Sequence, residues 1–285
     1  MTLSASEIEK RRKFVGSSDA AALCGEDPYK TPLDVYLTKV YETSDITSAA
    51  IQVGDLLEPV LIEYAEKKLG ISFVRGMWYS NGHLGANLDG LLLSDLPSDS
   101  HVEAKTTSLQ DGWGEESVPN DVPAKVLIQC HHQFHCAGTS IAYVPVLLGG
   151  IGGLNLKLYR VERNDRLVES VAERCESFWN KYVVPMIPPP GDPGKLDTLK
   201  RIIRQPNKSV VVASKTVQAF ETAKAMVKLA KDCQRVTEAQ LLTEMGDAEQ
   251  GVSDDGTYTY MEYDRKGHAV KPSTYRKLVR AKDER

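Results

Sequence analysis

The spacing of apolar and polar positions divides the chain into a helical start, a strand-rich middle and a helical end. Residues 4–14 read as a short helix, and 20–23 as a second one opened by the small-residue turn Gly16-Ser17-Ser18-Asp19. Thr31-Pro32 starts a third, running to Tyr41, and 49–69 carries a longer helical pattern that Gly70 ends. From residue 71 the period shortens. Residues 71–79, 83–93 and 101–107 alternate or run apolar at strand lengths, with turn-forming segments 80–82 and 94–100 between them, which predicts an antiparallel meander. Val122-Pro123 opens a helix to Gly138, strands follow at 141–149 and 154–161, and 165–182 is helical again.

The run Pro188-Pro189-Pro190-Gly191-Asp192-Pro193-Gly194 can continue neither helix nor sheet interior. It divides the chain into a domain at 1–190, a linker at 191–214 and an extension at 215–285. The extension reads as a charge-laced helix over 215–246 and a hairpin, 256–265 with 267–270, around Asp264-Arg265-Lys266-Gly267.

At 285 residues and 41% hydrophobic content, the chain can bury one substantial core plus an appendage. A net charge of −4 gives no global basic surface, although a local stripe can still bind DNA, and residues 271–280 are basic with Tyr275 interleaved. No apolar run approaches a bilayer span and residues 1–13 lack an apolar signal core, so the expectation is a cytoplasmic protein that does not enter a membrane. Cys24, Cys130, Cys136, Cys175 and Cys233 are odd in number and form no CxxC pair. Reduced thiols are expected, and an iron–sulfur cluster is disfavoured.

The candidate chemistry lies at Asn87-Leu88-Asp89-Gly90 and Val102-Glu103-Ala104-Lys105-Thr106. Glu103 and Lys105, two apart on a strand, face the same way, and Asp89 sits on the neighbouring strand. Two carboxylates offer hard oxygen ligands to Mg²⁺ or Mn²⁺, while a lysine can orient or deprotonate a water; the combination is nuclease-like. Ser17 and Ser18 admit two readings, an ordinary helix N-cap or a backbone seat for a phosphate, with Arg11 and Arg12 as counter-charges. Glu58 reads as a solvated helix acid and Gln129 as the polar edge of a packed helix. His131, His132, His135, Cys130 and Cys136 lie close enough in sequence to raise zinc, but their i, i+4 pairs point in different directions, which favours packing.

Taken in order, Gly16-Ser17-Ser18-Asp19-Ala20-Ala21, Pro28-Tyr29-Lys30-Thr31-Pro32, Gly54-x3-Glu58-Pro59, Leu88-Asp89-Gly90, Glu103-Ala104-Lys105-Thr106, Val122-Pro123, Gln129-x2-His132, Gly149-Gly150 and Phe178-Trp179 resemble the YqaJ and lambda-exonuclease family of viral recombination nucleases. The resemblance implies an α/β (α+β) PD-(D/E)xK restriction-endonuclease-like core, a central mixed β-sheet flanked by helices, with the C-terminal helix and hairpin as an extension. It implies Mg²⁺-dependent degradation of linear double-stranded DNA, 5′ to 3′, leaving 3′ tails for strand annealing. Mn²⁺ is a substitute, and two metals can be accommodated.

By the same resemblance, Asp89, Glu103 and the Ala104 carbonyl would ligate metal, Lys105 would position or activate the water, Glu58 would reach the site as a further acid, and Gln129 would orient the lysine or the water. Arg11 and Ser18, with Arg12 and Ser17 as near alternatives, would hold the 5′-phosphate. The implied partners are DNA ends, two further copies in a homotrimer and a single-strand annealing protein, in a host cytoplasm if the gene is phage-encoded. Lys125 replaces the family's usual aromatic one turn before Gln129, and His131 and Gln133 replace commoner choices. Two rival classes are a PD-(D/E)xK endonuclease of restriction or defence, and a non-catalytic DNA-binding protein on the same fold.

Overall fold

In the computed structural model, which describes residues 12–43, 49–93, 99–108, 111–149, 153–191 and 195–260, the chain divides into two units, Met1–Pro206 and Asn207–Arg285. The first is a mixed sheet flanked by helices. Its elements run β1 (Val15–Gly16), α1 (Ser17–Cys24), α2 (Pro32–Val40), α3 (Ala49–Leu69), β2 (Phe73–Asn81), β3 (Leu84–Leu92), β4 (Ser100–Val102), β5 (Lys105–Thr107), α4 (Ala124–Ala137), β6 (Ile141–Leu148), β7 (Asn155–Glu162), α5 (Asp165–Phe178) and α6 (Leu196–Arg201). Helix boundaries follow local chemistry. Thr31 caps α2, its Oγ1 accepting from Asp34 N at 3.2 Å while Asp34 Oδ2 accepts from Thr31 N at 2.9 Å, with Pro32 at the first helical position. Gly70 and Gly138 end α3 and α4 in the left-handed region, at φ +69° and +73°.

β2 and β3 pair antiparallel, and β4 joins the other edge of β3 at Gly90↔Val102 and Leu91↔His101. The antiparallel meander expected over 71–107 stops there, because β4 and β5 each pair parallel with β6, and β7 closes the far edge antiparallel. Returning parallel to β4 and β5 requires a crossover, which α4 supplies. The strand expected over 101–107 is also interrupted at Glu103-Ala104.

Three apolar clusters hold the helices to the sheet. Ala20, Ala21, Val35, Val171 and Cys175 from α1, α2 and α5 pack around Leu84, Ala86 and Leu88. Val126, Cys130 and Phe134 of α4 lie on Ala142, Val144, Val146, Tyr159 and Val161. Ile62 and Ala65 of α3 meet Phe73, Val102 and Leu158. Each large apolar side chain buried this way contributes about 1.5–3 kcal/mol before entropy is counted.

The expected linker is more ordered at its start than its prolines imply. Lys195 N donates to Asp34 Oδ1 at 2.9 Å, Ile203 N to Glu42 O at 2.8 Å, and Ile202 is buried against the α1–α2 side of the core. The reason is local: an Asp34 carboxylate oxygen left over from the α2 cap takes the Lys195 N–H, and Leu199 and Ile202 then find apolar neighbours. α5 ends earlier than residue 182, in a wider π-type turn at Trp179–Val183.

The second unit contains α7 (Ser214–Met245), β8 (Gln250–Ser253) and β9 (Gly256–Thr259). A hairpin turns at Asp254-Asp255, where Asp-Asp-Gly is itself a turn signal, and the turn expected around 264–267 lies outside the described residues. Most of the helix expected over 4–14 lies outside them too. Cys24, Cys130, Cys136, Cys175 and Cys233 are free thiols. Among the described residues no helix is long and apolar enough to cross a membrane.

Candidate active site

The sheet forks at Glu103-Ala104. Up to Val102 the chain pairs with both β3 and β6; the next residue gives its N–H to Tyr143 O at 2.9 Å, and Ala104 gives its own to Asp89 Oδ2 at 2.8 Å instead of to a strand carbonyl. On the opposite edge of β3 the ladder passes from Arg75↔Gly90 to Met77↔Leu88, leaving Gly76 across from Asp89 at φ +70°. Glycine adopts that backbone without a Cβ penalty. Asp89 therefore stands where both of its neighbouring ladders loosen, and its carboxylate turns to the end of β4.

Glu103 is buried, and its oxygens are surrounded by donors: Oε1 accepts from Lys105 Nζ and from Gln129 Nε2 at 2.6 Å, and Oε2 from Gln133 Nε2 at 2.5 Å. Lys105 Nζ also donates to Gln129 Oε1 at 3.0 Å, closing a triangle of acid, ammonium and amide. Gln129 and Gln133, four apart, present one face of α4 to the fork. Glu103 and Lys105 thus converge as expected, although two short strands and a break carry them.

Too many acids meet here for the one ammonium. Burial, and then the charge of Glu103, hold the Asp89 carboxyl well above the usual carboxylate range, against the pull of Lys105 and the Ala104 N–H. Glu58, half-buried on α3, is raised by burial and by Glu103 and Asp55. Burial opposes the charge on Lys105, but Glu103 and Asp89 outweigh it and hold its pKa above the ordinary lysine value. A hard divalent cation would relieve this excess, and Mg²⁺ commonly binds through one or two carboxylates with the rest from water and substrate phosphate, so Asp89 and Glu103 fit it. Among the described residues no group of three or more His, Cys, Asp or Glu side chains is placed to hold a metal, and the charge of Glu58 acts on Asp89.

Residues 8–140 match the YqaJ-like viral recombinase domain model. The uncharacterized protein YqaJ of Bacillus subtilis (strain 168) is 26% identical over 262 residues, covering 85% of this chain and 78% of that protein. The alkaline exonuclease LHK-Exo of Laribacter hongkongensis is similar in structure, with a TM-score of 0.48 at 18% identity over 62% of this chain and 92% of that one. A phage-related exonuclease from Haemophilus somnus 129PT has a TM-score of 0.48 at 13% identity, covering 61% of this chain and 95% of that one.

Glu58, Asp89, Glu103, Lys105, Gln129 and Gln133 all fall within the YqaJ-like span, whose match stops just before β6. Gln133 was readable only as a polar helix edge in the sequence; its spacing from Gln129 was the available signal. At the start of the domain neither serine is the N-cap of α1. Gly16 takes that position, with Asp19 Oδ2 accepting from Gly16 N at 3.2 Å, so Ser17, buried, and Ser18, exposed, are the first helical residues. Arg12 is described and half-buried, whereas Arg11 lies outside the described residues.

Beneath them, Asp19 pairs with Lys30 and, at 2.6 Å, with Lys39. The histidines of α4 are engaged within the fold. His131 Nδ1 contacts Leu127 O at 2.8 Å and its Nε2 accepts from Asn164 N at 3.2 Å, while His132 Nδ1 lies 3.7 Å from Cys136 Sγ.

Proposed function

We propose that this chain is a divalent-metal-dependent deoxyribonuclease, an exonuclease that uses Mg²⁺ to shorten one strand of linear double-stranded DNA from its 5′ end and leaves a 3′ tail for annealing. The observation that carries the reading is the meeting of Asp89, Glu103, Lys105 and Gln129 at the fork of the sheet. The YqaJ-like domain match supports it independently.

Asp89 and Glu103, with the Ala104 carbonyl, would hold the cation. When bound, a divalent ion lowers the pKa of a water nucleophile and offsets charge on the phosphoryl oxygens. Lys105, held protonated by its acidic neighbours, orients the water and opposes phosphate charge as a cation rather than removing a proton. Gln129 fixes that ammonium by accepting from it while donating to Glu103, and Glu58 adds negative potential that raises cation affinity.

Ser17 and Ser18 supply unpaired backbone N–H groups at the start of α1, and the Lys30–Asp19–Lys39 cluster behind them carries one positive charge more than negative. With Arg11 and Arg12 they form the proposed seat for a 5′-phosphate. A homotrimer and an annealing partner complete the proposal, with 191–214 joining the nuclease domain to the 215–285 extension.

Digestion of end-labelled linear duplex in Mg²⁺, with 5′-phosphate and 5′-hydroxyl ends and a closed circle in parallel, tests this. The expected outcome is mononucleotide release from phosphorylated ends with the circle intact. Cutting of the circle would make the protein an endonuclease, and equal rates on both ends would remove the phosphate seat.

A further inference from the structure

We infer that Gln133, His101 and Thr139 form a positioning chain that fixes the orientation of Glu103 for the cation; this rests on the reading of Glu103 as a metal ligand. Glu103 is 4% exposed and Gln133, His101 and Thr139 are 0% exposed, so no water competes for their hydrogen bonds. Gln133 Nε2 lies 2.5 Å from Glu103 Oε2, Gln133 Oε1 3.0 Å from His101 Nε2, and His101 Nδ1 2.9 Å from Thr139 Oγ1. The four residues come from the end of β4, the middle of α4 and the turn after it.

The direction of every hydrogen bond follows by elimination. A carboxylate oxygen only accepts, so Gln133 turns its NH₂ to Glu103 and its carbonyl to His101. That carbonyl requires a proton on His101 Nε2. In the neutral ring Nδ1 is then bare, and it takes the Thr139 hydroxyl proton. Phe134 packs edge-on against the ring at 5.3 Å. A flipped Gln133 amide would set its carbonyl against the carboxylate and break two links together.

The chain supplies what the catalytic triangle lacks. Lys105 and Gln129 both act on Oε1 and leave the terminal torsion of Glu103, a broad one, free to swing Oε2. Gln133 anchors Oε2, His101 prevents the Gln133 amide from flipping, and Thr139 fixes the His101 tautomer. Glu103 is thereby presented to a cation in one plane, as expected of partners that orient metal-binding side chains.

The test titrates the full-length protein with Mn²⁺ alone, following free Mn²⁺ by electron paramagnetic resonance, with melting in EDTA confirming cooperative folding and cleavage assayed alongside. Thr139→Val keeps the side-chain volume and loses the hydroxyl; Thr139→Ser keeps the hydroxyl and loses a methyl. A purely packing role predicts that the valine variant binds at least as tightly as the serine variant. The positioning chain predicts the reverse order: Thr139→Ser within about twofold of wild type and Thr139→Val weaker by about fivefold, the effect of roughly one net hydrogen bond.

Gln133→Leu should weaken Mn²⁺ binding by about 10- to 100-fold and lower kcat with the KM for DNA unchanged. Valine equal to or tighter than serine overturns the inference, as does a wild type that binds no Mn²⁺. If Mn²⁺ affinities keep the serine-over-valine order but wild type cleaves no DNA, the inference stands and the nuclease reading falls.

Discussion

Asp19 and Asp89 are both carboxylates set among charged groups in the span that matches the YqaJ-like domain model, but Asp19 faces two ammonium groups, whereas Asp89 faces two further acids and one ammonium. Burial alone would raise both pKa values. At Asp19 the lysines win, through Lys30 and Lys39, and hold the carboxyl far below its usual range. At Asp89 burial and Glu103 win, and the carboxyl is held well above it. In the first cluster the carboxylate is paired on both sides, and it ties α1 to α2 and the loop between them with one positive charge to spare. The second holds more acid than base, an excess that a cation would offset, which is why the proposed metal chemistry is assigned to it.

The largest effects should come from removing the acids that call for the cation. Asp89→Asn and Glu103→Gln are each expected to lower Mg²⁺-dependent cleavage by about a thousandfold or more, since placement of the ion underlies most of the electrostatic stabilisation. Saturating Mn²⁺ should raise the melting temperature of wild type and of Asp19→Asn, and leave that of Asp89→Asn nearly unmoved. A wild-type melting temperature indifferent to Mn²⁺ would break the comparison, because Asp89 would then be as self-sufficient as Asp19.

Next in size is a contrast in stability without metal. Asp19→Asn takes away the carboxylate that faces Lys39, whose side chain is 4% exposed, and should cost about 3 kcal/mol in urea unfolding in EDTA. Asp89→Asn removes repulsion and should leave the protein at least as stable as wild type. Equal losses in the two variants would mean that the Asp89 surroundings are balanced after all.

The two clusters were not equally legible in the sequence. Asp89, Glu103 and Lys105 could be read because strand period sets Glu103 and Lys105 on one face and a hairpin-like pattern of two adjacent strands sets Asp89 beside them, and the resemblance added Gln129. The Asp19 cluster could not, since Lys30 and Lys39 lie 11 and 20 residues downstream and only the packing of α2 on α1 returns them. His101 and Thr139 were invisible for the same reason, their contacts with Gln133 and with each other being made across elements.

Among the elements, α3 and α4 followed from helical period and glycine stops. The parallel pairing of β4 and β5 with β6 did not, because strand partners across a helix crossover leave no local trace. The ordered stretch at 195–203 was hidden by the prolines before it. The hairpin at 250–259 was missed because its turn signal, Asp254-Asp255-Gly256, stands within a dozen residues of a second one.

The smallest and sharpest expectation concerns pH. In EDTA, the folded protein keeps a proton on Asp89 at pH values where the unfolded chain, near 3.8, has released it. The folded state then binds more protons, so stability associated with Asp89 is lost as pH rises through its raised pKa. Asp19 has the opposite sign: its contribution is present above 3.8 and is lost only as pH falls through its depressed value. His101 and His132, pushed down from 6.5 to about 4 by burial, also lose stability as pH falls from 6.5 toward 4; His101 cancels in differences, whereas Asp19 favours the charged form of His132, so the Asp19→Asn comparison is free of His132 only above pH 6.5.

Measured against wild type by melting in EDTA, Asp89→Asn should therefore be near parity at pH 4 and gain on wild type as pH rises. Asp19→Asn should show a deficit that is constant from pH 6.5 to 8. Adding Mn²⁺ should reverse the first trend, since deprotonated Asp89 then gains a ligand role, and leave the second unchanged. Two differences with the same pH slope would place both carboxylates in one electrostatic class and remove the reason for separating them.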